Sequence, residues 1–406
     1  MRVHVTQLTR RQLMASALLA GAVAVAAPDS SSGQEATPAA STGATSVFAE
    51  LLAGAPDVLE KPERPAQIAM FGDVAAQLAS VGARQSTALD DSAIAIWIPA
   101  TQGIPIPNPA RNHGGHAEFR ARFGFDLIEI DQGLDVGEPP EMITFLRGRF
   151  EEDALRAAWS NAGHQRIDVD GQPVFSLAED PEFSRDHPVQ QLAQAQYNNV
   201  ALLPDGTLVY APTLDLLRSV IAVIHDTAPS LAARAEVASL LSTVEEPLGA
   251  AALLDGEVLS LPDSRSEFDP RMNPEKIEQL RTLLEQSGQI PPVRIVLFGV
   301  TPGGPIRPPE RPPRPTPIPA GDPAIFVIRL LMADAAAAET AAETIPKRLQ
   351  TLDSLVTEKP YSELVTLRRI EAMANPPVVM LDLDFVMPPH SWFRFVGDRD
   401  LLFLGY

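Results

Sequence analysis

The 406 residues carry 52 acidic and 32 basic side chains, a formal net charge of -20, with 45% hydrophobic residues and no cysteine. That sign repels phosphate backbones and anionic lipids, and no cluster of basic residues interleaved with aromatics offsets it, so nucleic acid is not an expected partner. The lack of thiols excludes disulfides, thiolate-bound zinc, cysteine-held iron-sulfur clusters and a nucleophilic cysteine, which leaves stability to the core.

At the amino end Arg2, Arg10 and Arg11 precede an apolar run from Leu13 to Ala27, and small residues stand at Ala24 and Ala26. A basic start, a short apolar core and a small-residue cleavage site are the three parts of an export signal. The run is fifteen residues long. A membrane-crossing helix needs roughly 18 to 20, so no integral membrane anchor is expected in the mature chain. Cleavage after Ala26 removes three arginines and leaves 29 basic against 52 acidic residues, a net charge of -23.

The hexapeptide Thr9-Arg10-Arg11-Gln12-Leu13-Met14 resembles the twin-arginine signals of uncharacterised exported bacterial proteins, with Leu13 and Ala15 where the usual pattern has Phe and Lys. The resemblance implies an extracytoplasmic protein, secreted or associated with the cell surface. It covers the signal and names no activity for the body.

Residues 27–46 are Ser, Thr, Ala and Gly with almost no large apolar side chain, the composition of a disordered tether. From Val47 the pattern turns globular. Val47 to Leu52 predicts a helical turn, Gln67 to Phe71 a strand, and Asp73 to Val81 a helix between an Asp cap and Gly82. Ser92 to Ile98 alternates small and apolar residues as a buried strand would, and Pro99 to Gly115 predicts a loop. Met142 to Phe150 predicts a strand and Glu151 to Ala162 a helix. Asp170-Gly171 and Asp205-Gly206 predict the turns of two hairpins. Helices follow from Leu214 to His225 and from Leu231 to Val244, with Ala250 to Leu254 as a closing strand.

Asn273-Pro274 opens a helix ending at Gly288. Strands at Val293 to Val300 and Ala324 to Met332 flank ten prolines and Arg307, Arg311 and Arg314, a loop of polyproline II character that would serve as a spacer or a partner ligand. Asp334 starts a helix to Leu352, Leu364 to Ala372 and Val378 to Phe385 read as paired strands, and Trp392 to Tyr406 as a final helix and strand. The fold expected is α+β: a signal peptide (1–26), a tether (27–46), and two ferredoxin-like strand-helix-strand-strand modules with antiparallel sheets, at 47–265 and 266–406. The second carries the proline-rich loop 301–323.

The chemistry-bearing candidates are His113 and His116, three residues apart on the loop Asn112-His113-Gly114-Gly115-His116, with Glu118 just beyond. Two imidazoles and a carboxylate are ligands suited to a divalent metal, and on that reading the chain is a metal-dependent hydrolase. The helical spacing of the zincin motif is missing, as are a Gly-x-Ser-x-Gly elbow and a phosphate loop with its Lys. His187 before Pro188 reads as a helix cap. Asp126, Glu129, Asp131, Asp135 and Glu138 cluster in sequence without the spacing of a calcium loop. The leading expectation is a non-enzymatic extracytoplasmic protein, without a cofactor, that binds a small ligand or a cell-envelope partner.

Overall fold

Helix ends form where short polar side chains can accept from free backbone N–H groups. Ser46 accepts from Ala49 N at 3.2 Å to open α1 (Val47–Gly54), and Asp73 accepts from Ala76 N at 2.8 Å where β1 (Gln67–Asp73) passes into α2 (Val74–Ser80). Thr213 caps the helix Leu214–Ile224 and Asp334 the helix Ala335–Thr351 in the same way, as their sequences predict. The computed structural model describes residues 46–57, 67–83, 91–108, 110–177, 184, 186–261, 274–304, 323–385, 391–398 and 400–406. The expected signal peptide, nearly all of the expected tether, the expected Asn273 cap and residues 305–322 of the proline-rich loop lie outside that set.

The described residues form an α+β fold of thirteen α-helices and one twelve-stranded sheet. The remaining helices are α3 (Asp91–Ala100), α4 (Ala110–His113), α5 (Ala117–Phe123), α6 (Glu152–Asn161), α7 (Pro188–Ala193), α8 (Leu214–Ile224), α9 (Ala235–Leu241), α10 (Pro274–Gln286), α11 (Ala335–Thr351), α12 (Tyr361–Leu364) and α13 (Ser391–Gly397). The remaining strands are β2 (Ile130–Glu138), β3 (Glu141–Gly148), β4 (Gln165–Val169), β5 (Gln172–Ser176), β6 (Asn199–Leu202), β7 (Leu208–Ala211), β8 (Ala250–Asp255), β9 (Ile295–Val300), β10 (Ile325–Leu331), β11 (Val365–Ala374) and β12 (Pro377–Phe385). No described helix is long and apolar enough to cross a membrane.

The sheet order is β11-β12-β10-β9-β8-β1-β2-β3-β7-β6-β5-β4, and its pairings are antiparallel. β8 therefore sits near the middle, between β1 and β9, and does not close a module. Residue 265, the expected module boundary, falls between β8 and β9, which pair along their length.

Successive strand side chains alternate between two cores. Val296, Phe298 and Val300 enter one core with α2, α5, α6, α7 and α11, while Ile295 and Leu297 enter the other with α1, α8 and α9. Every residue of β9 is buried, as expected of a strand covered on both faces.

Four local expectations are corrected. Ser92 to Ile98 lies in helix α3, with Ala93, Trp97 and Ala100 buried on one face and Ile96 and Ile98 half exposed. A short small-apolar run fits either period, and here the i, i+4, i+7 spacing prevails. The loop from Pro99 to Gly115 contains the helical turn α4. The helix expected from Leu231 to Val244 breaks at Arg234, whose extended backbone separates a 3-10 turn (Leu231–Ala233) from α9. The chain end forms a 3-10 turn (Leu402–Leu404) where a strand was expected, with buried Asp400 accepting from Ser354, Leu355 N and Tyr361.

Segment Ile104 to Pro107 lies directly on the sheet because two glycines make room for it. A Cβ on Gly72 would fall 2.0 Å from Pro105 O, and one on Gly133 would fall 2.5 Å from Pro107 Cδ. Asp170 and Gly171 both take positive φ, 51° and 84°, which fits the expected Asp-Gly hairpin.

Candidate functional site

The histidine loop is built from two short helices. His113 is the last residue of α4, and its side chain lies outside the described set. Gly114 follows in close contact with Leu127, whose backbone N–H donates to Gly114 O at 2.9 Å. His116 is the exposed N-cap of α5, and Glu118, also exposed, pairs with Arg122 one turn later. No group of three metal-binding side chains converges among the described residues.

Two further histidines are engaged by backbone. Buried His164 has Nδ1 3.2 Å from Trp159 O and Nε2 3.1 Å from Tyr197 O. Burial lowers its pKa against the pull of those carbonyls. His187 accepts from Val189 N at 3.3 Å as the cap of α7, the role its sequence predicts, and burial followed by nearby Arg122 lowers its pKa too.

The acidic run of 126–138 does not gather around a point. Asp126 pairs with Arg120 and Glu129 accepts from Asp126 N at 2.6 Å, Asp131 lies 3.6 Å from Arg149, and Glu138 accepts from Gln67 N at 2.8 Å. Asp126 is buried in its pairing with Arg120, and Asp135 is half-buried within the sheet.

Its setting follows from sheet register. One cross-strand row runs Ile370, Leu381, Ile328, Phe298, Ala252, Met70, Asp135, Thr144, Tyr210, Val200, Phe175 and Arg166. Asp135 and Thr144 thus face each other inside an apolar layer, and the Thr144 hydroxyl donates to Asp135 Oδ1 at 2.6 Å. Burial pushes the Asp135 carboxyl up to about 7, with the Thr144 bond acting against the rise.

Aromatic rings close over this row. Tyr197 stacks on Tyr210 with centroids 3.9 Å apart, and Trp159 stands edge-on to Tyr210 at 6.5 Å. Both phenols are buried and their pKa values are raised by that burial. The Trp159 indole N–H faces the Tyr210 hydroxyl without completing a hydrogen bond of full geometry. A carboxyl with a displaced pKa is often catalytic, but substrate must reach it. Asp135 is half-buried and held by Thr144.

The opposite face of the sheet bears an open depression of about 250 Å³. Phe145 and Arg147 of β3 form its floor, the C-terminal ends of α1 and α8 its walls, and the turn with Leu203, Asp205 and Thr207 its rim. Arg147 donates from Nη1 to Glu50 at 3.1 Å, from Nη2 to Asp205 at 3.2 Å and from Nε to Thr207 Oγ1 at 3.1 Å. Ile224 is 38% exposed at the edge. Here apolar surface and paired charges meet solvent together.

Comparison with protein-family models, curated proteins and solved structures finds no match to this chain. Sequence reading gave Asp135 only as one of five neighbouring acids and passed over Arg147. The signal for Asp135 was present: it stands between Leu134 and Val136 in a strand-like alternation with no Lys or Arg opposite. Arg147 gave none, because its partners are 97 and 58 residues away.

Proposed function

We propose that this chain is an exported, non-enzymatic extracytoplasmic protein that binds a small ligand or a cell-envelope partner, and that the Arg147 depression is its binding site. The single observation carrying this reading is the contrast between the two polar centres. Asp135 is half-buried in the sheet and engaged by Thr144, while the solvent-facing centre holds its guanidinium in a fixed fork beside apolar Phe145 and Leu51. Fixed polar groups over apolar surface select a ligand's orientation without supplying a nucleophile or a free base.

The tripartite N-terminal signal supports export, and its arginines favour the twin-arginine route. The recurring order of three-stranded meander, helix and hairpin, in β1–β5 around α6 and again in β8–β12 around α11, supports reading the body as two related modules of ferredoxin-like type. Fold likeness alone names no ligand.

Equilibrium dialysis of the purified full chain against a library of small metabolites, read by mass spectrometry, tests the proposal. Gly54→Leu supplies the blocked control: Gly54 lines the depression, and a Cβ there meets Ile224 Cδ1 at an ordinary 3.8 Å. The wild type should retain a compound unchanged and the variant should not. Failure to retain anything, or chemical turnover of what is retained, defeats the reading. Stoichiometric zinc or manganese lost on the double change His113→Ala and His116→Ala would instead establish the metal-dependent alternative.

A further inference from the structure

Resting on the depression being the binding site, we infer that its ligand is a small organic cation, an ammonium or guanidinium group on a short apolar body. Charge complementarity carries the inference. Three carboxylates, Glu50, Asp205 and Asp226, line the depression against the single guanidinium of Arg147. That guanidinium is already committed to Glu50, Asp205 and Thr207, so an incoming anion would have to displace bonds that are made. Asp226 is exposed and has no ion-pair partner among the described residues.

The backbone adds the same sign independently. α1 ends at Gly54 and α8 at Ile224, both in the wall of the depression, and neither helix has a basic residue in its last turn. Each helix C-terminus presents roughly half a negative charge, which favours a cation within about a turn of the end. The chain's net charge of -20 adds a long-range field that steers cations inward.

Leu51, Phe145, Leu203 and Ile224 supply the apolar surface for the ligand's body. The volume, about 250 Å³, lies below the range of roughly 300–1,000 Å³ that encloses drug-sized molecules, which restricts the ligand to a small one.

Three probes on short alkyl bodies separate the outcomes: butylguanidinium, butanol and butyrate, titrated into the full chain by ligand-observed NMR. Butylguanidinium should bind about tenfold more tightly than butanol, as expected of two or three exposed charge contacts. Asp226→Asn should weaken it about threefold, as should raising the salt to about 1 M. Gly54→Leu should abolish it, with circular dichroism showing both variants folded. If butyrate or butanol binds better and Gly54→Leu removes that binding, the site stands and the cation inference fails. Butylguanidinium binding that ignores Gly54→Leu also overturns the inference, and binding of no probe removes both it and the site.

Discussion

Replacing Asp135 by Asn should remove a large part of the protein's pH-dependent instability. Asp135 titrates near 3.8 when unfolded and at about 7 when folded, because burial disfavours its charge more than Thr144 stabilises it. Below pH about 4 both states hold the proton and the group has no effect on stability. As pH rises from about 4 to 7 the unfolded chain releases the proton while the folded chain keeps it, so stability falls, and above the folded pKa the loss is complete. The displacement corresponds to about 4 kcal/mol. Asp135 keeps partial solvent exposure, so screening reduces that figure. Asparagine keeps the shape and an oxygen to accept from Thr144 but has no charge to bury. Urea unfolding at pH 4.5, 6, 7 and 8 should therefore show the two proteins within about 1 kcal/mol at the acid end. Asp135→Asn should gain progressively toward pH 8. A difference between them that stays constant across this range would refute the reasoning, because every other titrating group is common to both.

Arg348→Met should cost about 3 kcal/mol in urea unfolding, since the buried guanidinium donates to the carbonyls of Gly405, Leu284 and Gly288 and the thioether donates to none, leaving Leu284 O with the Ser287 hydroxyl. Gly72→Ala should cost about 3 kcal/mol or lift the segment from Ile104 to Pro107 off the sheet, seen as faster amide exchange there, because its Cβ would meet Pro105 O at 2.0 Å. Asp73→Ala should lose about 1 kcal/mol of capping energy. Asp73→Asn should not, because it keeps the acceptor for Ala76 N and removes a carboxylate whose pKa burial raises.

Elements whose cause is local were legible in the sequence, and elements whose cause is distant were not. Thr213, Asp334 and the two Asp-Gly turns act over two or three residues, and the structure places α8, α11, β4–β5 and β6–β7 where those signals put them. β2 escaped notice because its acids read as a charged cluster. Yet Asp131 and Glu138 satisfy themselves at the strand's ends against Arg149 and Gln67, and Asp135 takes its hydrogen bond from Thr144 across the β2–β3 pair. The sheet order was beyond reach for the same reason: nothing in Ala250 to Asp255 announces that its neighbours are β1, almost 180 residues earlier, and β9.

Asp135 and Thr144 also show how an unfavourable side chain can specify a fold. Asp135 is half-buried on one face of β2, where Thr144 donates to its carboxyl. Thr144 is the one hydroxyl in β3. Sliding the pair by two residues would keep Asp135 on the same face but set it opposite Met142 or Leu146, where no side-chain donor exists, at a cost of a few kcal/mol. Sliding by one would turn it among Ile143 and Phe145 in the other core. The half-buried acid therefore lowers stability while singling out one alignment of β2 on β3. On the opposite face Arg147 is set beside Asp205 and Thr207 by the pairing of β3 with β7, in which Leu146 faces Leu208.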